Sequence, residues 1–174
     1  MGKFQIGKMM KVRGKNSQPP IKVNRTKEGT IFEIITVVVL IVLWVLTVLL
    51  YRHAPEQVPV HYGYHMNPDT MGSRSSLIVM AVFGTFCSVM MLISAYYPDK
   101  AVNLPYTITQ PEQYVYIVRM VRLLAVEVAL LFLGIVIMMG TSGLGYFPMA
   151  FFFLMLFLVI VTTIVYSVKA YQQR

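Results

Sequence analysis

Four long apolar runs divide this chain, and polar or turn-forming stretches separate them. The first runs from Ile31 to Tyr51 and the second from Leu77 to Tyr97, closed by Pro98 and Asp99. The third covers 120–140 and the fourth 146–168. Each is close to the roughly 20 residues that carry an α-helix across about 30 Å of hydrocarbon. A bilayer offers the backbone no hydrogen-bond partners, so runs of this length must satisfy their own N–H and C=O groups as helices. The β-branched stretch from Ile35 to Val42 is no obstacle, because membrane burial overrides the weak helix propensity of Val and Ile in water. The pattern predicts an all-α fold: an integral membrane four-helix bundle with helices near 31–51, 77–97, 120–140 and 146–168.

Composition supports that class. Hydrophobic residues make up 57% of the 174 and charged residues 13%, about half the charged share of a soluble domain. The length allows a basic arm over 1–28 and one membrane domain over 29–174. A lone cysteine, Cys87, rules out a disulfide within the chain. The first apolar run is too long for a cleavable signal peptide and lacks a small-residue cleavage site.

Charge gives the orientation. The net charge is +8, and residues 1–28 hold eight Lys and Arg against the single acid Glu28. Such an arm beside a membrane helix suits anionic lipid headgroups better than nucleic acid, and no nucleic-acid partner is expected. With the N-terminus inside, 13 of the 15 basic residues fall on the cytoplasmic side, leaving Arg52 and Arg74 outside. The positive-inside rule then places both termini in the cytoplasm of a multi-pass protein of the bacterial inner membrane. Tyr96, Tyr97, Tyr146, Phe147 and Tyr166 lie near run ends, where aromatic rings favour the interface. The segment from Thr141 to Gly145 reads as a tight turn that makes the last two helices an antiparallel hairpin. Phe151, Phe152 and Phe153 read as a lipid-facing cluster in the outer leaflet. Ala81, Gly84, Thr85 and Ser88, with Ala125 and Ala129, form small-xxx-small pairs that predict close approach of the second and third helices.

The outer connection, residues 52–76, holds all three histidines, His53, His61 and His65. Pro55, Pro59 and Pro68 oppose a helix, and Asn67-Pro68-Asp69 signals a turn, so the stretch reads as an extended, turn-rich extracytoplasmic cap. His61, His65 and Asp69 are spaced by four, which on a helix would align metal ligands. The prolines argue against that helix, so no metal and no cofactor are expected. His61 is instead expected to pack under the loop against a backbone group, with His53 and His65 solvated. A pH-sensing role for the three imidazoles is a further reading.

This loop resembles the membrane module at the N-terminus of SdpI-type bacterial proteins. That family's pattern is roughly P-x-H-aromatic-N-x-x-G-x-P-D-x-x-G-S-K after the first transmembrane helix. Here Pro59, His61, Tyr62, Pro68, Asp69, Gly72 and Ser73 match it, with Arg74 in place of Lys. Gly63 and Met66 stand where the family usually has Asn and Gly. A weaker similarity follows at Asn103-Leu104-Pro105 and from Tyr114 to Arg122, so the likeness spans about residues 35–140. The resemblance implies a non-enzymatic protein of recognition, immunity or accessory type. Its outer loop, through those eight matching residues, would meet an extracytoplasmic peptide or a membrane-protein partner. The second membrane domain that the SdpI family adds has no room here.

Glu127 is the intramembrane exception. It lies eight residues beyond Arg119, roughly 12 Å below the cytoplasmic end at helical rise. An acid there must face the interior, be protonated or be paired. Thr162, Thr163 and Tyr166 lie at matching depth on the fourth helix, and Arg122 is five residues back. Two readings stay open: an interhelical hydrogen bond, or a proton or cation site of a small transporter or channel subunit that would have to homo-oligomerise. An enzyme carrying a metal in its outer loop is the third alternative for the whole protein. Glu33, at the inner end of the first helix, is positioned to pair with Arg119 or Arg122. Signatures of hydrolases, zinc proteases and nucleotide binders are absent.

Overall fold

In the computed structural model the described residues are 23–63, 67–104, 108–141 and 147–173. Among them are four helices long and apolar enough to cross a membrane, and they pack together. α1 spans Lys27–His53, α2 Ser76–Ser94, α4 Gln113–Gly140 and α5 Phe147–Tyr171, with a single-turn α3 at Pro98–Ala101. Between α1 and α2 the chain forms two strands, β1 (Gln57–Tyr62) and β2 (Pro68–Ser73). Most of the basic arm, residues 1–22, lies outside the described residues, as does the turn segment 142–146.

Local chemistry explains where the helices begin and end. The Thr26 hydroxyl accepts from the Gly29 N–H at 3.0 Å and caps α1, with Glu28 in the first turn and Arg52 and His53 in the last, as the helix dipole favours. α1 therefore starts before the apolar run does. α4 starts seven residues ahead of the expected 120. Buried Gln113 accounts for this: its Oε1 accepts from the N–H groups of Thr109 and Gln110, and its Nε2 donates to the Ala170 carbonyl at the end of α5. One carboxamide thus ties the preceding loop, the start of α4 and the end of α5 together. α2 ends at Ser94, short of the expected 97, and Tyr96 and Tyr97 form a turn into Pro98 at the start of α3.

α4 is the central helix. It packs against α1, α2 and α5, and it contributes residues to both core clusters. One cluster gathers Ala95, Tyr114, Ile117, Val118, Val121, Leu124 and Ala170 at one end of the bundle. The other gathers Leu43, Val58, Leu77, Ala81, Leu133, Val136 and Met139 at the end that carries the strands. The expected close approach of α2 and α4 is present. Ala81, Gly84 and Ser88 are buried along one stripe of α2, and a Cβ on Gly84 would stand 2.6 Å from the Cβ of Phe132. Thr85 points elsewhere and accepts from the Trp44 indole N–H at 3.0 Å, linking α2 to α1.

The outward faces of α1, α2 and α5 are apolar and exposed, with Ile34, Val38, Ile41 and Val45 on α1, Phe83 and Phe86 on α2, and Phe157, Ile160 and Ile164 on α5. Water would not tolerate three such faces on one small protein, whereas hydrocarbon covers them at no cost. Phe153 belongs to this outer surface, whereas Phe151 is half-buried, with its ring edge over Gly134 of α4.

Candidate recognition site on the hairpin

The connection between α1 and α2 is a two-stranded antiparallel hairpin. Val58 stands opposite Gly72, Pro59 opposite Met71, His61 opposite Thr70, and Tyr62 opposite Pro68. The register slips between Pro59 and His61, a bulge that accommodates the extra residue Val60. Both strands of a two-stranded sheet are edges, so Pro59 and Pro68 fit without breaking an inner ladder. Gly72 makes room for Val60, one methyl of which would lie 2.6 Å from a Cβ there. The Gly63 N–H donates to the Asn67 carbonyl near the tip, and the Arg74 N–H donates to Glu56 at the base.

One side of the hairpin is fixed to the bundle. Val58 and Pro59 are fully buried. The Tyr62 hydroxyl donates to the Met138 carbonyl of α4 at 3.1 Å, and loss of solvent around the phenol raises its pKa. The Arg74 guanidinium sits 5.1 Å over the Tyr51 ring, and Ser73 Oγ accepts from the Ser75 N–H where α2 begins. Pro68, Asp69, Thr70, Met71, Val60 and His61 face outward and are exposed.

His61 and Asp69 meet across the hairpin, with Nδ1 and Oδ1 2.6 Å apart. This corrects the expectation that His61 packs under the loop on a backbone group: the imidazole is 67% exposed and its partner is a side chain. The pairing also replaces the helical alignment of His61 and Asp69, because antiparallel strand pairing, not a helix face, brings them together. His53 is exposed, as expected, with its Nδ1 2.7 Å from the Leu49 carbonyl. His65, Met66 and Tyr64 lie outside the described residues, and no cluster of three metal-ligating groups occurs among the described ones.

The hydrogen bond from His61, followed by its charge and by the Thr70 hydroxyl, holds the Asp69 carboxyl below the usual aspartate range, against the opposing effect of partial burial. A depressed carboxylate stabilises the folded form above its unfolded pKa, and that contribution is lost as pH falls through the folded value. The His61–Asp69 contact is therefore expected to survive acidification through the ordinary aspartate range and to fail below it. The Asp69 carboxyl carbon shift, followed by NMR in micelles from pH 6 downward, checks this. A midpoint at the ordinary aspartate value, unchanged in His61→Ala, would contradict it.

Within the bundle, Thr162 donates to Glu127 Oε1 at 2.6 Å, the expected α4–α5 contact. Thr163 does not join it. One residue further on, the helix has turned by about 100°, and the Thr163 hydroxyl is exposed and donates to the Val159 carbonyl. Arg122 also turns away from Glu127. Its guanidinium lies 3.7 Å from Glu33 Oε1 on α1 and 5.4 Å over the Tyr96 ring, while Arg119 pairs with Glu28 at 2.8 Å. The Tyr96 hydroxyl donates to the same Glu33 oxygen. Tyr96 thus serves an internal contact, a role that its place at the end of an apolar run does not reveal.

The model of a family described as a domain of unknown function (DUF1648) matches residues 38–85. An uncharacterized protein of Archaeoglobus fulgidus is 33% identical over 61 residues, which is 34% of this chain. The chain thus spans about a third of the length of that curated relative. No solved structure matches. The family match begins in α1, takes in the whole hairpin and ends in α2, so this chain is similar to that family over the segment that builds and anchors the exposed His61–Asp69 pair.

Proposed function

We propose that this chain is a non-enzymatic recognition or accessory protein of the SdpI-module kind, which holds its hairpin outside the cytoplasmic membrane to bind an extracytoplasmic peptide or membrane-protein partner. The observation that carries this reading is the two-sided hairpin. One side is locked to the bundle through Val58, Pro59 and the bond from Tyr62 to Met138. The other presents a His–Asp pair flanked by exposed Val60 and Met71, which suits a partner with both polar and apolar groups. A rigid platform limits the ordering entropy that binding would otherwise cost. The orientation in this reading follows from the 13 basic residues that an N-in arrangement keeps inside. Anionic lipids would meet the basic arm on that inner side.

The test uses a photo-reactive residue at Met71 in the full chain, in the native membrane, with light-dependent crosslinking as the readout. A defined crosslinked species is expected, and His61→Ala with Asp69→Ala should abolish it while membrane insertion stays intact. A membrane-impermeant maleimide applied to intact cells should label a cysteine at Thr70 in a Cys87→Ser background. Crosslinking indifferent to the double substitution would remove the hairpin from the reading, and a Thr70 site protected until lysis would reverse the orientation.

A further inference from the structure

Glu127 lies midway along α4, about 21 Å of helix from Gln113 at 1.5 Å per residue. It falls between the two core clusters, after Leu124 of one and before Leu133 of the other. The side chain is 7% exposed. Its Oε1 accepts from Thr162, but its Oε2 is enclosed and has no hydrogen-bond partner.

Among the described residues, the charged groups of α4 and α5 other than Glu127 are engaged elsewhere. On α4 itself, Arg122 lies against Glu33 and Arg119 against Glu28, both on α1. On α5, Lys169 lies over the Tyr166 ring. α2 contributes the half-buried Cys87, and the hairpin's Tyr62 is bonded to the Met138 carbonyl. A carboxylate at mid-membrane needs several donors or a counter-ion to offset its lost hydration. This one has a single hydroxyl. An enclosed oxygen also leaves no room for a hydrated cation or a lipid headgroup, whereas a proton needs none.

We propose that Glu127 is a proton-binding site at the centre of the bundle, its carboxyl carrying the proton on Oε2 while Oε1 accepts from Thr162. Release of that proton leaves a charge with one donor on the α4–α5 seam. The two helices must then part or admit water, so the seam is where proton binding is converted into movement.

The test compares the full chain with its Glu127→Gln variant in lipid bilayers at neutral pH by infrared difference spectroscopy. The C=O stretch of a protonated carboxyl is expected in the wild type, lost in Glu127→Gln and displaced in Thr162→Val. A difference confined to carboxylate bands would overturn the proposal. The glutamine amide oxygen can still accept from Thr162, which favours a folded variant. A second measurement does not depend on any variant. Dicyclohexylcarbodiimide, an apolar reagent that adds the O–H of a carboxylic acid across its C=N bond, should modify Glu127 in the bilayer-embedded wild type during the openings of the α4–α5 seam that the proposal requires. Recovery of the Glu127 peptide without adduct would count against the site.

Discussion

Replacing Glu33 with leucine is expected to destabilise the bundle by about 3–5 kcal/mol, the usual cost of stranding a buried charge. The expectation comes from Arg122, which is 3% exposed on the central helix. Glu33 is its counter-ion at 3.7 Å, and the Tyr96 ring lies 5.4 Å from the guanidinium carbon. The Arg122 Nε and one terminal nitrogen already lack hydrogen-bond partners, so the carboxylate's charge is the main compensation for the cation. Gly29 encloses the guanidinium on the α1 side, where a Cβ would collide with it. The substitution would also leave the Tyr96 hydroxyl without its acceptor and remove the other Glu33 oxygen, which Arg25 approaches at 3.5 Å.

A second substitution separates charge from packing. Glu33→Leu with Arg122→Met removes both charges and keeps apolar volume, and such replacements are often neutral or stabilising. The double variant should therefore recover most of the stability that the single one loses. Unfolding in detergent micelles, followed by helix content against denaturant, measures both. Equal losses in the single and double variants would mean that packing at Glu33, not the charge on Arg122, sets the cost.

The membrane helices were legible because a bilayer turns composition itself into a structural signal. α1, α2 and α5 carry apolar side chains on nearly every face, and lipid accepts all of them. The start of α4 was not legible. Its first turns hold Gln113, Tyr114 and Tyr116, which read as a polar connection, although Gln113 and Tyr114 are buried against other elements. The hairpin was hidden for a related reason. β2 reads Pro-Asp-Thr-Met-Gly-Ser, with no alternation of apolar and polar residues, because most of it faces solvent. Its pairing comes from the anchors on β1 and the small Gly72. Glu127 and Thr162 could be matched from helix depth alone. The separation of Thr162 from Thr163, and of Arg122 from Glu127, depends on the rotation of each helix about its axis. Where polar residues are few and apolar ones surround the helix, the sequence carries little information about that rotation.

The largest packing effect is expected at Gly84, where α2 lies directly against Phe132 of α4. A Cβ at this position would lie 2.6 Å from Phe132 Cβ and 2.8 Å from its Cγ. A χ1 change of Phe132 can move the Cγ, but the Cβ is fixed by the α4 backbone, so relief of the closest contact requires the helices to separate. Gly84→Ala is expected to cost about 1–3 kcal/mol, as overpacking usually does, and Gly84→Leu more. Gly134 gives the contrast. A Cβ there would meet the Cδ1 and Cε1 edge of the Phe151 ring, at 2.8 and 3.1 Å, and that ring can swing away. Gly134→Ala should therefore cost clearly less than Gly84→Ala in the same unfolding assay. Phe132→Ala gives the sharpest check, because alanine keeps the Cβ that makes the closest contact. If the backbone approach sets the cost, Phe132→Ala leaves most of the Gly84→Ala defect in place. Full rescue by Phe132→Ala would instead assign the defect to the ring and place the two helix backbones far enough apart to accept a methyl group between them.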